Sequence, residues 1–202
     1  MKKLLLGAVI GALIAAIGLY VYQRIGPSAA PTGPVDTAES ALAAASKGKT
    51  DAGAALRNVK MAGSILTVKN GESIQAAVSK AKPGDTIQVM PGLYKETVYI
   101  DKDNIAIIGV IDKGSWPVMD GERKLNDAIL YSGSGIRIEN MKIVHYKGNA
   151  IMGQAGNNFV IRYNWIVDTG VYGIFPQFGK NGLVEYNVIS GIEDAAIYIG
   201  MC

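Results

Sequence analysis

Apolar residues in this chain fall in short, β-branched runs separated by Gly, Asn and Asp, which is a strand-and-turn signature. From Gly135 the runs recur every 23 residues without a gap: Gly135 to Asn157, Asn158 to Lys180, Asn181 to Cys202. Ile138, Ile161 and Val184 share a column, as do Ile143, Ile166 and Ile189, then Ile151, Ile174 and Ile197, then Gly156 and Gly179. Gly133 and Ala128 extend the pattern backwards by part of a turn. No segment within a repeat has helical spacing, and each is too short for a propeller blade. The period therefore predicts a solenoid of coils, each with about three short strands and three turns. Stacked coils place equivalent residues about 4.8 Å apart and bury inward columns that no coil can bury alone.

The same register sets polar neighbours. Glu139, Arg162 and Glu185 form a column of alternating sign, expected as an exposed and mildly favourable ladder. Asn164 and Asn187 share a column just after a strand, where stacked side chains can bond to each other and to the bend backbone.

Upstream, folded structure is expected from Ser64, with strands at Ile65–Val68, Thr86–Met90, Thr97–Ile100, Ile105–Ile108 and Pro117–Met119. Ser73 can cap a short helix over Ile74 to Lys82, with Ile74, Ala77, Val78 and Ala81 on its apolar face. These strands do not fit the 23-residue period, as expected for a terminal, capping part of a solenoid. The domain is thus read as residues 64 to 202. It breaks off in mid-coil at Cys202 with no polar cap, so further coils are expected beyond it.

Charge and composition change the picture mainly at the N-terminus. Lys2, Lys3 and Arg24 are the only charges before Pro27, and the remainder balances 17 basic against 17 acidic residues. A neutral body argues against nucleic-acid binding. The single cysteine, Cys202, excludes an internal disulfide, and no disulfide-linked partner is expected. Leu4 to Tyr22 is uncharged; at 1.5 Å per residue it reaches about 28 Å, roughly a bilayer core. Residues 1 to 25 are read as a signal anchor, with a cleaved signal peptide as the alternative, and the body as extracytoplasmic (periplasmic or cell-surface). Residues 26 to 63, rich in Pro and Gly and then in Ala, Ser and Lys, read as a mostly flexible linker with a weak helix over Asp36 to Ser46.

Residues 71 to 110 carry a resemblance. Ser73-Ile74-Gln75-Ala76-Ala77, Pro83-Gly84-Asp85-Thr86-Ile87, Pro91-Gly92-Leu93-Tyr94 and the run Ile105 to Gly109 resemble the entry region of right-handed parallel β-helix proteins of the pectin-lyase-like superfamily. The later coils resemble the same superfamily, its carbohydrate-binding and sugar-hydrolase repeat subgroup, and the periplasmic maturation proteins of nitrous oxide reductase. The resemblance implies an all-β, right-handed parallel β-helix with a short N-terminal capping helix. It implies polysaccharide binding or processing of the lyase, hydrolase or epimerase type, with a non-catalytic periplasmic scaffold or metalloenzyme maturation factor as the alternative. The chain lacks the clustered Asp of pectate lyases, the Asp-Pro-His-Asp of alginate epimerases, and the spaced Asp pair and His-Gly of polygalacturonases, so no catalytic set carries over. Whether the protein is an enzyme stays open, and no cofactor is assigned.

Candidate chemistry converges on one turn. His145, the only histidine, shares a column with Asp168 one coil away; nearby Lys147 shares a column with Gly170 and Glu193, and Asp194 follows. His145, Lys147, Asp168, Glu193 and Asp194 together suit proton transfer on a uronic-acid polymer, or mixed His and carboxylate ligation of a metal. A solvated turn is the competing explanation. Tyr163 with Tyr186, and Tyr172 with Tyr198 and Phe175, offer aromatic faces for sugar rings.

Overall fold

A computed structural model describes residues 53–201. The expected N-terminal anchor, most of the linker and Cys202 lie outside these residues. Among the described residues no helix is long and apolar enough to cross a membrane.

Among the described residues, sixteen short strands coil into three parallel sheets. Sheet A takes β1 (Ile65–Val68), β2 (Thr86–Val89), β5 (Ala106–Gly109), β8 (Arg137–Glu139), β11 (Val160–Arg162) and β14 (Leu183–Glu185). Sheet B takes β3 (Gly92–Tyr94), β6 (Pro117–Asp120), β9 (Lys142–Val144), β12 (Trp165–Val167) and β15 (Val188–Ser190). Sheet C takes β4 (Val98–Ile100), β7 (Ile129–Tyr131), β10 (Ile151–Gly153), β13 (Tyr172–Pro176) and β16 (Ala195–Ile197). Every strand pairing is parallel, so all three sheets step one coil at a time.

Inward columns form the core. Ile87, Ile107, Ile138 and Ile161 stack in sheet A, Met119, Ile143 and Ile166 in sheet B, and Val98, Ile129, Ile151 and Ile174 in sheet C, all fully buried. Burial of each such side chain is worth about 1.5–3 kcal/mol. The backward extension needs one correction: Ile151 pairs with Ile129, not Ala128. Ile197 continues the column, but it is 46% exposed because no coil stacks on it among the described residues. Where the ring of Tyr131 leans over the next coil, Gly153 leaves it space; a Cβ there would lie 2.5 Å from the ring.

The early strands break the 23-residue period in both directions: Ile65 pairs with Thr86 and Thr86 with Ala106, steps of 21 and 20 residues, whereas loops at 110–116 and 121–128 lengthen the third coil so that Ile107 pairs with Ile138, a step of 31. In the first coil the helix α1 (Ile74–Lys80) stands where two strands would be, packed against β1, β2 and β4. Ser73 Oγ accepts from Ala76 N, as a helix cap should. The carboxylate of Glu96, one coil on, accepts from Ile74 N and Gln75 N at 2.8 and 3.0 Å. At the other end Lys102 Nζ donates to the carbonyls of Val78, Ser79 and Ala81. An anion at the helix N-terminus and a cation at its C-terminus both suit the helix dipole. Gln75 meanwhile accepts from Tyr99 N at 2.6 Å, covering the free edge of β4.

Residues 53–58, within the stretch read as linker, are helical. They lie against the outer face of sheet A, where Leu56 O accepts from Arg137 and Arg57 pairs with Glu185 at 2.6 Å. The charge ladder there is not an exposed one. Arg137 and Glu139 are 5% and 7% exposed, because this segment and neighbouring coils shield them.

Candidate functional site

The turns that join sheet B to sheet C carry the predicted cluster. His145, Asp168 and Gly191 occupy equivalent turn positions with φ of 57°, 60° and 66°. The bend needs this left-handed backbone and does not by itself mark function, since Asn140, Tyr163 and Tyr186 adopt it at another corner. Asp127, Asn149 and Tyr172 hold the turns in register. Asp127 Oδ1 accepts from Asn149 N and Nδ2, and Asn149 Oδ1 accepts from Tyr172 N.

His145 lies between two carboxylates. Its Nδ1 is 3.0 Å from Asp120 Oδ1, and its Nε2 is 3.8 Å from Asp168 Oδ2. Burial acts to raise the pKa of Asp120, but bonds from the Glu122 amide and from His145 outweigh it and hold the carboxyl below its ordinary value. An ionised Asp120 can only accept, so His145 Nδ1–H donates to it, and Nε2 is left facing Asp168.

Asp168 also binds Arg123, whose loop comes from the lengthened third coil. Arg123, Tyr146, Lys147, Asp168, Gly170 and Glu193 line a cleft of about 130 Å3. The Tyr146 ring is buried and its hydroxyl donates to Glu96 O at 2.6 Å, so burial pushes its phenol pKa up and it stays protonated. Tyr146 is therefore a floor rather than an acid or base. Gly170 lets this wall close up, as a Cβ would lie 2.1 Å from Lys147 O.

Of the five expected residues, Lys147, Asp168 and Glu193 line the cleft, and His145 reaches it through Asp168. Asp194 does not join them. It does not line the cleft, and its carboxylate instead faces Tyr172, whose hydroxyl pKa is raised by burial and by that charge. Sequence spacing missed Asp120 and Arg123, because the third coil does not keep the period. Among the described residues no group of three or more His, Cys, Asp or Glu is placed to hold a metal ion. The two ring nitrogens of His145 face different carboxylates and do not converge on one point.

Residues 113–201 match the family model for the right-handed β-helix region. No curated protein and no solved structure matches the chain. The all-parallel coils of the described residues and this match make the fold a parallel β-solenoid, similar over residues 113–201 to right-handed β-helix proteins and consistent with the pectin-lyase-like superfamily.

Proposed function

We propose that the protein binds or processes a polysaccharide of uronic-acid type at the cleft beside His145. The observation that carries this is the order Asp120–His145–Asp168, flanked by the cations Arg123 and Lys147. A uronate presents a carboxylate next to a carbon whose hydrogen can be removed. Arg123 and Lys147 supply the charge to hold the carboxylate. His145 Nε2, oriented by Asp120, is the group to take the proton. If the protein is a lyase, the electron pair left on that carbon forms a double bond as the neighbouring glycosidic oxygen departs. The leaving oxygen takes a proton from water at the open rim beside Glu193, and His145 returns the proton it took to solvent.

Export and membrane attachment through residues 1 to 25 belong to the same proposal, supported by Lys2, Lys3 and the uncharged run Leu4 to Tyr22. Fractionation checks it: body found only in a processed, soluble form beginning near Ala30 overturns the anchor.

The decisive experiment incubates the full chain with uronic-acid oligomers, following binding by calorimetry and unsaturated product by ultraviolet absorbance. Binding weakened by Arg123→Ala, with turnover lost in His145→Ala, is expected. Binding without turnover in the parent leaves a glycan-binding protein. Failure to bind any uronic-acid oligomer overturns the proposal and favours a non-catalytic scaffold or maturation factor.

A further inference from the structure

Both tryptophans of the chain meet at one corner, although they belong to different coils. Trp116 precedes β6, and Trp165 opens β12 two coils later; their rings pack edge to face at 5.9 Å. Beside them Tyr163 and Tyr186 stack at 5.3 Å, within 5° of parallel. With Ile111 and Val188 these rings line a groove of about 430 Å3 between sheets A and B. It is open to solvent: Tyr186 is 67% exposed and Trp165 36%. Lone exposed apolar residues need no explanation, but a contiguous aromatic patch marks a contact surface.

Over Trp165, beside the groove, stands a cation without an anion. Lys142 Nζ sits 3.7 Å from the centroid of the Trp165 ring, and among the described residues it has no carboxylate within ion-pair distance. Arg162, over Tyr163, is by contrast committed to Glu139 and Glu185. Aromatic faces beside a free amine suit a ligand with apolar C–H faces and a carboxylate, and disfavour a cationic one. The position fits as well. Trp165 opens β12 and Asp168 follows its end, and three residues of strand span about 10 Å, so the groove and the cleft lie at opposite ends of the strands of sheet B.

We propose that the Trp116–Trp165 corner, with Lys142, is a second binding site for an acidic polysaccharide, which holds the polymer across sheet B while another sugar occupies the cleft. The site rests on the uronic-acid reading of the cleft. Sugar rings lie in the groove along Trp116, Trp165 and the exposed Tyr186, and a uronate carboxylate pairs with Lys142 Nζ.

The tryptophans supply their own readout, since no other site contains one. The full chain is titrated with uronic-acid oligomers and with neutral oligomers of equal length, following intrinsic fluorescence. A saturable change with the acidic oligomer is expected, its affinity reduced about tenfold by Lys142→Ala, as loss of one charge-assisted bond requires. Lys142→Ala should leave the neutral oligomer unaffected. Trp165→Ala should abolish binding at the corner while calorimetry still detects the cleft. Oligomer binding at the cleft with unchanged tryptophan emission overturns the second site alone; no oligomer binding at all overturns both. Sedimentation velocity covers the other occupant. A dimer that Trp165→Ala converts to monomer, with no response to oligomers, makes the corner a contact between copies and overturns the proposal.

Discussion

Arg137 and Glu139, two residues apart on β8, turn to the same face of sheet A and meet at 2.7 Å, both almost fully buried. Arg162 of the next coil reaches the same Glu139 oxygen at 3.1 Å, and Arg137 donates to Leu56 O. One carboxylate thus serves two guanidinium groups in a shielded place. Glu139→Ala would leave both without it, and removing one member of a buried pair typically costs about 3–5 kcal/mol. We predict a loss in that range on chemical denaturation, and a smaller loss for Glu139→Gln, which keeps an acceptor. A cost below about 1 kcal/mol for the alanine variant would mean that the ladder is solvated, as its sequence alone suggests.

The asparagine ladder should matter about as much. Asn164 is 1% exposed; its Oδ1 accepts from Met141 N, and its Nδ2 donates to Ile138 O and to Asn187 Oδ1. Asn187 repeats the pattern one coil later, donating to Ile161 O, but is less buried. Asn164→Ala strands the buried Met141 amide, at about 1–3 kcal/mol, and also removes the bonds to Ile138 O and Asn187 Oδ1. The expected outcome is a larger fall in denaturation midpoint for Asn164→Ala than for Asn187→Ala. Equal falls would refute burial as the cause.

The part of the fold legible in the sequence is the part that repeats. Ile138, Ile161 and Val184 announce their stacking because parallel coils demand identical offsets, and β8, β11 and β14 pair as those columns require. The third coil was not legible to the same degree. Its loops lengthen it, so Asp120 falls beside His145 and Arg123 beside Asp168 without any periodic sign. Burial of the charge ladder was illegible for a different reason. It depends on residues 53–58, which carry no apolar pattern of their own and are held by Arg57 to Glu185 and Leu56 to Arg137. Register tells which residues are neighbours; it does not tell what a distant segment will cover.

Core and surface columns should separate cleanly under mutation. Ile174 is fully buried between Ile151 and Ile197, so Ile174→Asp places an unpaired charge in the core, a change expected to exceed about 4 kcal/mol. Val188→Asp, on an outward position that is 63% exposed, should fall within about 0.5 kcal/mol of the parent. Urea midpoints test the pair, and similar losses would overturn the inward and outward assignment.

Asp85 gives the fold a pH dependence with a definite sign. Its carboxylate accepts from Lys82 N and Ser64 N at 2.8 and 2.7 Å, tying the turn after α1 to the start of β1. These two amide bonds outweigh burial and hold its pKa below the ordinary aspartate value. A carboxyl with a lower pKa folded than unfolded contributes fully above the unfolded value, about 4, and loses that contribution as pH falls through the folded value. We therefore predict that Asp85→Asn melts at a lower temperature than the parent at pH 7, and that the gap narrows as pH falls below about 4. The neutral amide retains an acceptor oxygen, so the part of the gap that disappears in acid belongs to the charge. A gap that stays constant from pH 7 to below the folded pKa would show that the ionised carboxylate contributes nothing, and that Asp85 acts at this turn by shape alone.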